Sequence, residues 1–167
     1  MNKFDKDAMG FLLRVREVLN YDPDTGAFTW RVNKSRARAG TSAGFRLANG
    51  YTGLSIDKQR VLAHRVALLM TTGRWPAGDV DHINGNRADN RIANLRDVKH
   101  AVNTQNLRTA HRDSSHGRLG VSRCGARFRA QIMVGGKKIH LGYHATPELA
   151  SSAYLDAKRR IHAGCSI

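Results

Sequence analysis

The chain has 167 residues, with 28 Lys plus Arg against 13 Asp plus Glu, a formal net charge of +15 and 41% hydrophobic residues. That length allows one medium domain or two small ones, and no run approaches the ~18–20 consecutive apolar residues of a membrane-spanning helix. Acids near the N-terminus (Asp5, Asp7) stand where a signal peptide has its apolar stretch, and Cys124 and Cys165 have no CxxC spacing, so secretion, a disulfide scaffold and a Cys-bound zinc are all disfavoured. A cytoplasmic protein is expected, and its excess of positive charge points to a polyanionic partner. The charge is uneven: residues 1–110 carry 18 bases and 10 acids, residues 111–167 carry 10 and 3.

Taken in chain order, Leu12, Val15 and Leu19 share a helical stripe over residues 8–19. Asp24-Thr25-Gly26 then turns the chain between Tyr21 and Phe28-Thr29-Trp30, which reads as a hairpin. Residues 33–50, with Lys34, Arg36, Arg38 and Arg46, read as a basic and mobile loop. A second hairpin is expected from Tyr51 to Ala63, turning at Asp57-Lys58, and helical spacing resumes from His64 to Thr72 and stops at Gly73. Trp30 and Trp75 are expected to pack rather than to stack on bases. His64 reads either as a packed histidine or as a second active-site group.

Next comes Val80-Asp81-His82-Ile83-Asn84-Gly85-Asn86, an acid and an imidazole ahead of a strong turn dipeptide. Leu95 to Val98 can return as a strand. Residues 99–110 can be helical, with Asn103 and Asn106 within one turn. This order would bring Asp81, His82 and Asn103 around one concavity. Those groups suffice to cut a phosphodiester: the Asp81 carboxylate and Asn103 carbonyl suit a hard divalent cation, and the His82 imidazole can take a proton from water near neutral pH. An Asp-His followed by Asn-Gly also fits an ordinary surface hairpin, and spacing alone leaves both readings open.

The C-terminal part alternates differently. In Arg127-Phe128-Arg129-Ala130-Gln131-Ile132-Met133-Val134 the even positions are apolar, Gly135-Gly136 turns the chain, and Ile139, Leu141 and Tyr143 are expected to face inward. Leu119 and Val121 extend the pattern upstream. Thr146 can cap a helix with Pro147 in its first turn, whose apolar stripe would be Ala150, Ala153, Tyr154, Ala157 and Ile161. A three-stranded antiparallel sheet packed on one helix follows, with Arg118, Arg127, Arg129, Gln131, Lys138 and His140 on its exposed face. Arg and Gln read base edges, and a sheet can enter the major groove; a merely solvated polar face is the alternative.

Asp81-His82-Ile83-Asn84-Gly85-Asn86, Asp89-Asn90, Asn94-Leu95-Arg96 and Asn103 resemble the HNH endonucleases, in particular the phage homing branch with a ββα-metal fold. His64-Arg65-Val66-Ala67 and Gly73-Arg74-Trp75-Pro76 are similar to that branch too. The resemblance implies His82 as general base, Asp81 and Asn103 as ligands of one Mg²⁺ or Mn²⁺, and Asn94 as the residue bracing the loop. If DNA passes this site, Arg87, Arg91 and Arg96 are expected to contact phosphate; otherwise they are solvated charges. Gly120-Val121-Ser122-Arg123, Phe128 to Ile132, Leu141-Gly142-Tyr143 and Thr146 to Ala150 resemble the ethylene-response-factor (APETALA-type) DNA-binding domain, which adds Arg123 to the expected DNA contacts. Ser122 stands where that pattern has a base and His140 where it has Trp, so the plant members' sequence specificity does not carry over.

The expectation is therefore an α+β protein: an HNH nuclease domain over 1–110, a linker over 111–116 and a DNA-binding domain over 117–167. It would nick double-stranded DNA with no obligate protein partner. A phage DNA-binding regulator that keeps the nuclease fold without chemistry is the alternative.

Overall fold

The computed structural model describes residues 8–34, 37–107, 110, 117–162 and 165, so the expected linker 111–116 lies outside the described residues. The protein is mixed α and β, and the chain divides into two compact units, Met1–Lys99 and His100–Ile167. The division falls ahead of Asn103, which groups with the C-terminal strands.

In the first unit, α1 (Ala8–Val18) buries Leu12, Val15 and Val18. β1 (Leu19–Tyr21) then pairs with β2 (Phe28–Trp30), with Tyr21 opposite Phe28. Asp22 shapes the turn between them: its Oδ1 accepts from the Asp24 amide at 2.9 Å and its Oδ2 from the Thr25 hydroxyl at 2.7 Å. These bonds hold the Asp22 carboxyl below its ordinary pKa. Part of the expected mobile loop is ordered: Ser42 bridges to Thr29, and β3 (Phe45–Arg46) joins β4 (Thr52–Ile56) and β5 (Gln59–Leu62) in a sheet of order β3-β4-β5. The β4–β5 turn is made at Asp57 and Lys58, whose φ angles of 47° and 67° fit a two-residue hairpin. Arg14 and Lys34 both donate to the Asp57 carboxylate, at 2.7 and 2.5 Å.

α2 (Ala63–Thr72) lays Ala63, Val66, Ala67 and Leu68 on a core completed by Val18, Leu19, Phe28, Leu54 and Ile56. Gly73, at φ 75°, ends this helix by donating its amide to the Leu69 carbonyl. Arg65 reaches from α2 to the Pro76 and Gly78 carbonyls, at 3.1 and 3.2 Å. Asp97 accepts from the Ala77 and Gly78 amides at 2.8 Å each. These bonds fix the entry to β6 (Asp79–His82), which pairs antiparallel with β7 (Leu95–Val98).

The second unit starts with α3 (His100–Gln105), shorter than the expected helix. β8 (Val121–Cys124), β9 (Arg127–Val134) and β10 (Lys137–His144) form an antiparallel sheet with β9 central. α4 (Pro147–Ile161) packs on it through Ala150, Tyr154 and Ala157, and Thr146 Oγ1 caps the helix by accepting from the Leu149 amide. β8 begins at Val121 because Gly120 turns the chain at φ 66°. A Cβ there would lie 2.1 Å from the Tyr154 ring.

Three positions expected to face inward are exposed: Ile139, which nevertheless lies opposite Ile132 in the ladder, Tyr143 and Ile161. The register of β10 on β9 shifts between His140 and Gly142, so one extra residue reverses the alternation beyond it. Leu141 still packs inward, but Tyr143 lies opposite Arg129 and is 51% exposed. On α4, Ile161 is exposed and the buried stripe ends on Lys158 instead. The rows 150, 154, 157 and 158 follow the i, i+4, i+7, i+8 face of a helix.

Candidate active site

β6 ends on Asp81 and His82, both buried. The ladder sets Asp81 opposite Arg96, and Arg96 donates Nε and Nη2 to Asp81 Oδ2 at 2.8 and 2.6 Å. Arg96, expected on phosphate, is therefore engaged with the carboxylate beside His82. His82 Nε2 lies 3.4 Å from Asn90 Oδ1. The His64 ring meets the His82 ring nearly at a right angle, with centroids 5.1 Å apart and an interplanar angle of 79°. Tyr51 completes this wall, 5.1 Å from His64 and 5.8 Å from His82.

Burial sets the charge state here. Desolvation pushes the His64 imidazole down to about 3, with His82 and Arg65 adding to the effect. Its Nδ1 is buried without a hydrogen-bond partner among the described residues. His82 is also lowered, by burial first, against the opposing hydrogen bond to Asn90 and the field of Asp81. Both rings are neutral at neutral pH, and a neutral imidazole is the form that accepts a proton.

The loop between β6 and β7 closes on its own side chains. Asn94, 7% exposed, accepts from the Asn84 amide at 2.9 Å and donates to the Asp89 carbonyl at 2.8 Å. Asn84 Nδ2 donates to Asp89 Oδ2 at 2.7 Å. Arg91 grips Asp89 with Nε and Nη2 at 2.8 and 2.6 Å, which holds the Asp89 carboxyl well below the usual carboxylate range. Arg87 donates to the Asn49 carbonyl at 2.9 Å and lies 5.0 Å over the Tyr51 ring. The β1–β2 turn supports the loop from below. Tyr21 Oη donates to the Asn90 carbonyl at 2.7 Å, and the Ile92 amide donates to the Pro23 carbonyl at 3.0 Å. Gly26 sits so close that a Cβ would lie 2.5 Å from the Arg91 nitrogen.

Sequence reasoning singled out Asp81, His82 and Asn94, which the β6–loop–β7 hairpin carries together. It missed Asn90 and Tyr51 as neighbours of His82. Asn90 stood inside the motif and could have been weighed for its amide, whereas Tyr51 lies 31 positions before His82 with no local pattern to mark it. Asn103 is half-buried on α3, and His100 is exposed. The Asp81 carboxylate and the Asn103 amide are each oxygen donors, the chemistry a hard divalent cation takes; they fall in different units of the chain. Among the described residues, no three His, Cys, Asp or Glu side chains converge in a cluster that could hold a metal.

In the second unit, ladder partners define the sheet face turned away from α4. Arg129 stands between Ser122 and Tyr143, Gln131 is opposite His140, Met133 opposite Lys138, and Arg127 opposite Cys124. The His140 and Tyr143 rings lie 4.7 Å apart. Arg123 pairs with Phe128 and so leaves the sheet on the other face. Arg118 precedes β8, off the sheet, and donates to Glu148 of α4 at 2.6 Å.

Residues 61–105 match the model of the HNH endonuclease family. The chain thus carries an HNH endonuclease domain, that of a DNA-cleaving hydrolase. No curated protein and no solved structure matches the chain. No helix among the described residues is long and apolar enough to cross a membrane.

Proposed function

We propose, taking that HNH domain as the premise, that the protein is a metal-dependent endonuclease of the phage homing type. It nicks double-stranded DNA in the cytoplasm of the host cell and needs no protein partner. The observation that carries this reading is His82: a buried, neutral imidazole beside Asp81, with the Asn90 amide at Nε2 and the His64 ring against it.

His82 takes the proton from the attacking water, and the Asn90 amide and the His64 and Tyr51 rings keep its imidazole oriented. Asn94 acts through the loop it braces, so that Asp81 and His82 hold their places as DNA enters. Asp81 and Asn103 would hold one divalent cation, which when bound polarises the scissile phosphate and stabilises the departing 3′ oxygen. Asn103 is included because the family match extends through residue 105. Attack on phosphorus with departure of the 3′ oxygen leaves 5′-phosphate and 3′-hydroxyl ends.

The sheet β8–β10 supplies DNA affinity and site preference in the manner of an ethylene-response-factor domain. Its contacts are Arg127, Arg129, Gln131, Lys138 and His140, with Tyr143 joining them on the same face. Arg87 and Arg91 meet phosphate beside the hairpin, while Arg118 and Arg123 contribute at the margin of the sheet.

The test is relaxation of supercoiled plasmid with Mg²⁺, Mn²⁺ or EDTA, beside His82→Ala. The wild type should give open circles only with metal, and His82→Ala should lose roughly 10²- to 10⁴-fold in rate, the usual scale of a positioned base. Equal cutting by His82→Ala would refute the base assignment. Metal-independent binding without cutting, on plasmid and phage genomic DNA alike, would favour a DNA clamp, to which the Arg96–Asp81 pair is suited.

A further inference from the structure

Arg87 is exposed on the β6–β7 loop, yet its guanidinium pairs with no carboxylate among the described residues. It reaches instead to the turn between β3 and β4. Nη1 donates to the Asn49 carbonyl at 2.9 Å, and the guanidinium carbon lies over the Tyr51 ring, 5.0 Å from its centroid. Gly50 turns the chain between those two residues at φ 87°. Tyr51 in turn bears on the reacting group. Its ring centroid is 5.8 Å from that of His82 and 5.1 Å from that of His64, which meets His82 edge-on at 5.1 Å. One unbroken chain of contacts thus runs from the exposed rim of the loop to the buried imidazole.

The Tyr51 end of that chain has little else to hold it. β3 pairs with β4 at two positions, Phe45 with Gly53 and Arg46 with Thr52, short of the roughly 3–10 residues of an ordinary strand. The turn's own bonds reach Tyr51 only at its main chain: the Leu47 amide donates to its carbonyl at 2.8 Å, and its amide donates to Asn49 Oδ1 at 3.4 Å. The Tyr51 hydroxyl has no hydrogen-bond partner among the described residues, so ring packing alone sets its angle. A guanidinium over the ring face supplies the missing constraint, through charge and through its own flatness. A lysine ammonium keeps the charge but has no plane to lay on the ring.

We infer that Arg87 is a positioning residue for the base: by clamping the Asn49 carbonyl and the Tyr51 ring it holds the aromatic wall against His82, so that a residue of the rim sets the angle of the buried imidazole. This rests on the reading of His82 as general base, and all the residues involved belong to the first unit of the chain. The task is separate from any contact with phosphate. Arg87 Nε and Nη2 have no hydrogen-bond partner among the described residues and remain able to meet a backbone oxygen of DNA.

The test is a double-mutant cycle on the full-length protein, with Arg87→Lys, Tyr51→Leu and both together, beside His82→Ala. Single-turnover nicking of supercoiled plasmid at saturating Mg²⁺ is read as a maximal rate and a half-saturating protein concentration. Gel shifts over a salt series give the slope of log affinity against log salt. Arg87→Lys keeps the charge, so its half-saturating concentration and salt slope should match the wild type. Its maximal rate should fall roughly 10-fold, short of the ~10²-fold that a misplacement of ~1 Å can cost. Tyr51→Leu should lose a similar factor, and the double variant no more than either single one, because both break the same contact. Tyr51→Phe, which keeps the ring, should recover most of what Tyr51→Leu loses. Losses that multiply in the double variant would overturn the clamp, as would a wild-type maximal rate in Arg87→Lys or a defect confined to its affinity and salt slope. Nicking by His82→Ala at the wild-type rate, or none by the wild type, would instead refute the base reading on which the proposal rests. Should Tyr51→Leu lack the wild-type circular dichroism, Tyr51→Met completes the cycle.

Discussion

The β6–β7 hairpin and the β8–β10 sheet are both antiparallel and both carry arginines, yet they use them in opposite ways. In the hairpin Arg96 is bound to Asp81, Arg91 to Asp89 and Arg87 to a backbone carbonyl. On the sheet, Arg127 and Lys138 have no ion-pair partner among the described residues, and Arg129 donates only weakly, at 3.3 Å, to the Ser122 hydroxyl. A reacting group must be held in one geometry by its neighbours. A surface that meets phosphates gains most when its cations are not already neutralised. On the proposed reading, the two regions divide those requirements between them.

The held geometry of the hairpin is tested most forcefully at His64. Its ordinary value is 6.5 and burial pushes it down to about 3. Below 6.5 the unfolded chain takes up a proton that the folded chain refuses, so stability falls as the pH drops through that window. The slope approaches ~1.4 kcal/mol per pH unit for this one group. Urea titrations between neutral and mildly acidic pH should show it, and His64→Phe should flatten the acid limb. Parallel acid limbs in the two proteins would show that the folded chain protonates His64 freely.

A smaller effect is expected at Asn94, whose two side-chain bonds close the hairpin loop. Asn94→Ala should cost about 1–3 kcal/mol in thermal or urea unfolding, because it strips partners from buried backbone groups. It should slow nicking as well; full stability in Asn94→Ala would mean that the loop is held by Asp89 and Arg91 instead. The smallest stability change is expected on the sheet. Arg127→Ala with Arg129→Ala should shift unfolding by less than about 0.5 kcal/mol. The same pair should reduce the slope of log affinity against log salt by roughly 2, one contact each. An unchanged salt slope would remove the sheet from the DNA interface.

The hairpin was legible in the sequence because its chemistry is local. Asp81, His82, Asn84, Asp89 and Asn94 lie within 14 consecutive positions, and their hydrogen bonds join near neighbours. The wall behind His82 was legible only in part: His64 on α2 stood out as a packed histidine or a second active-site group, whereas Tyr51, on the approach to β4, carried no local signal. The direction of Tyr143 was misread for a different reason. A bulge adds one residue without leaving a mark in the pattern of apolar positions, and everything beyond it changes face. Lys158 was hidden by its type: a lysine beside Arg159 and Arg160 reads as the solvated end of a helix, and its burial at the end of the α4 stripe shows that it turns inward.

The β1–β2 turn has a bearing on where this nuclease begins. The matched segment starts at residue 61, but the Tyr21 hydroxyl, the Pro23 carbonyl and the bare Cα of Gly26 all meet residues 90–92 within it. The recognisable motif is thus smaller than the piece of chain able to fold around it. A fragment trimmed to the motif would lose the floor of its own loop, and a minimal nuclease has to be cut ahead of α1.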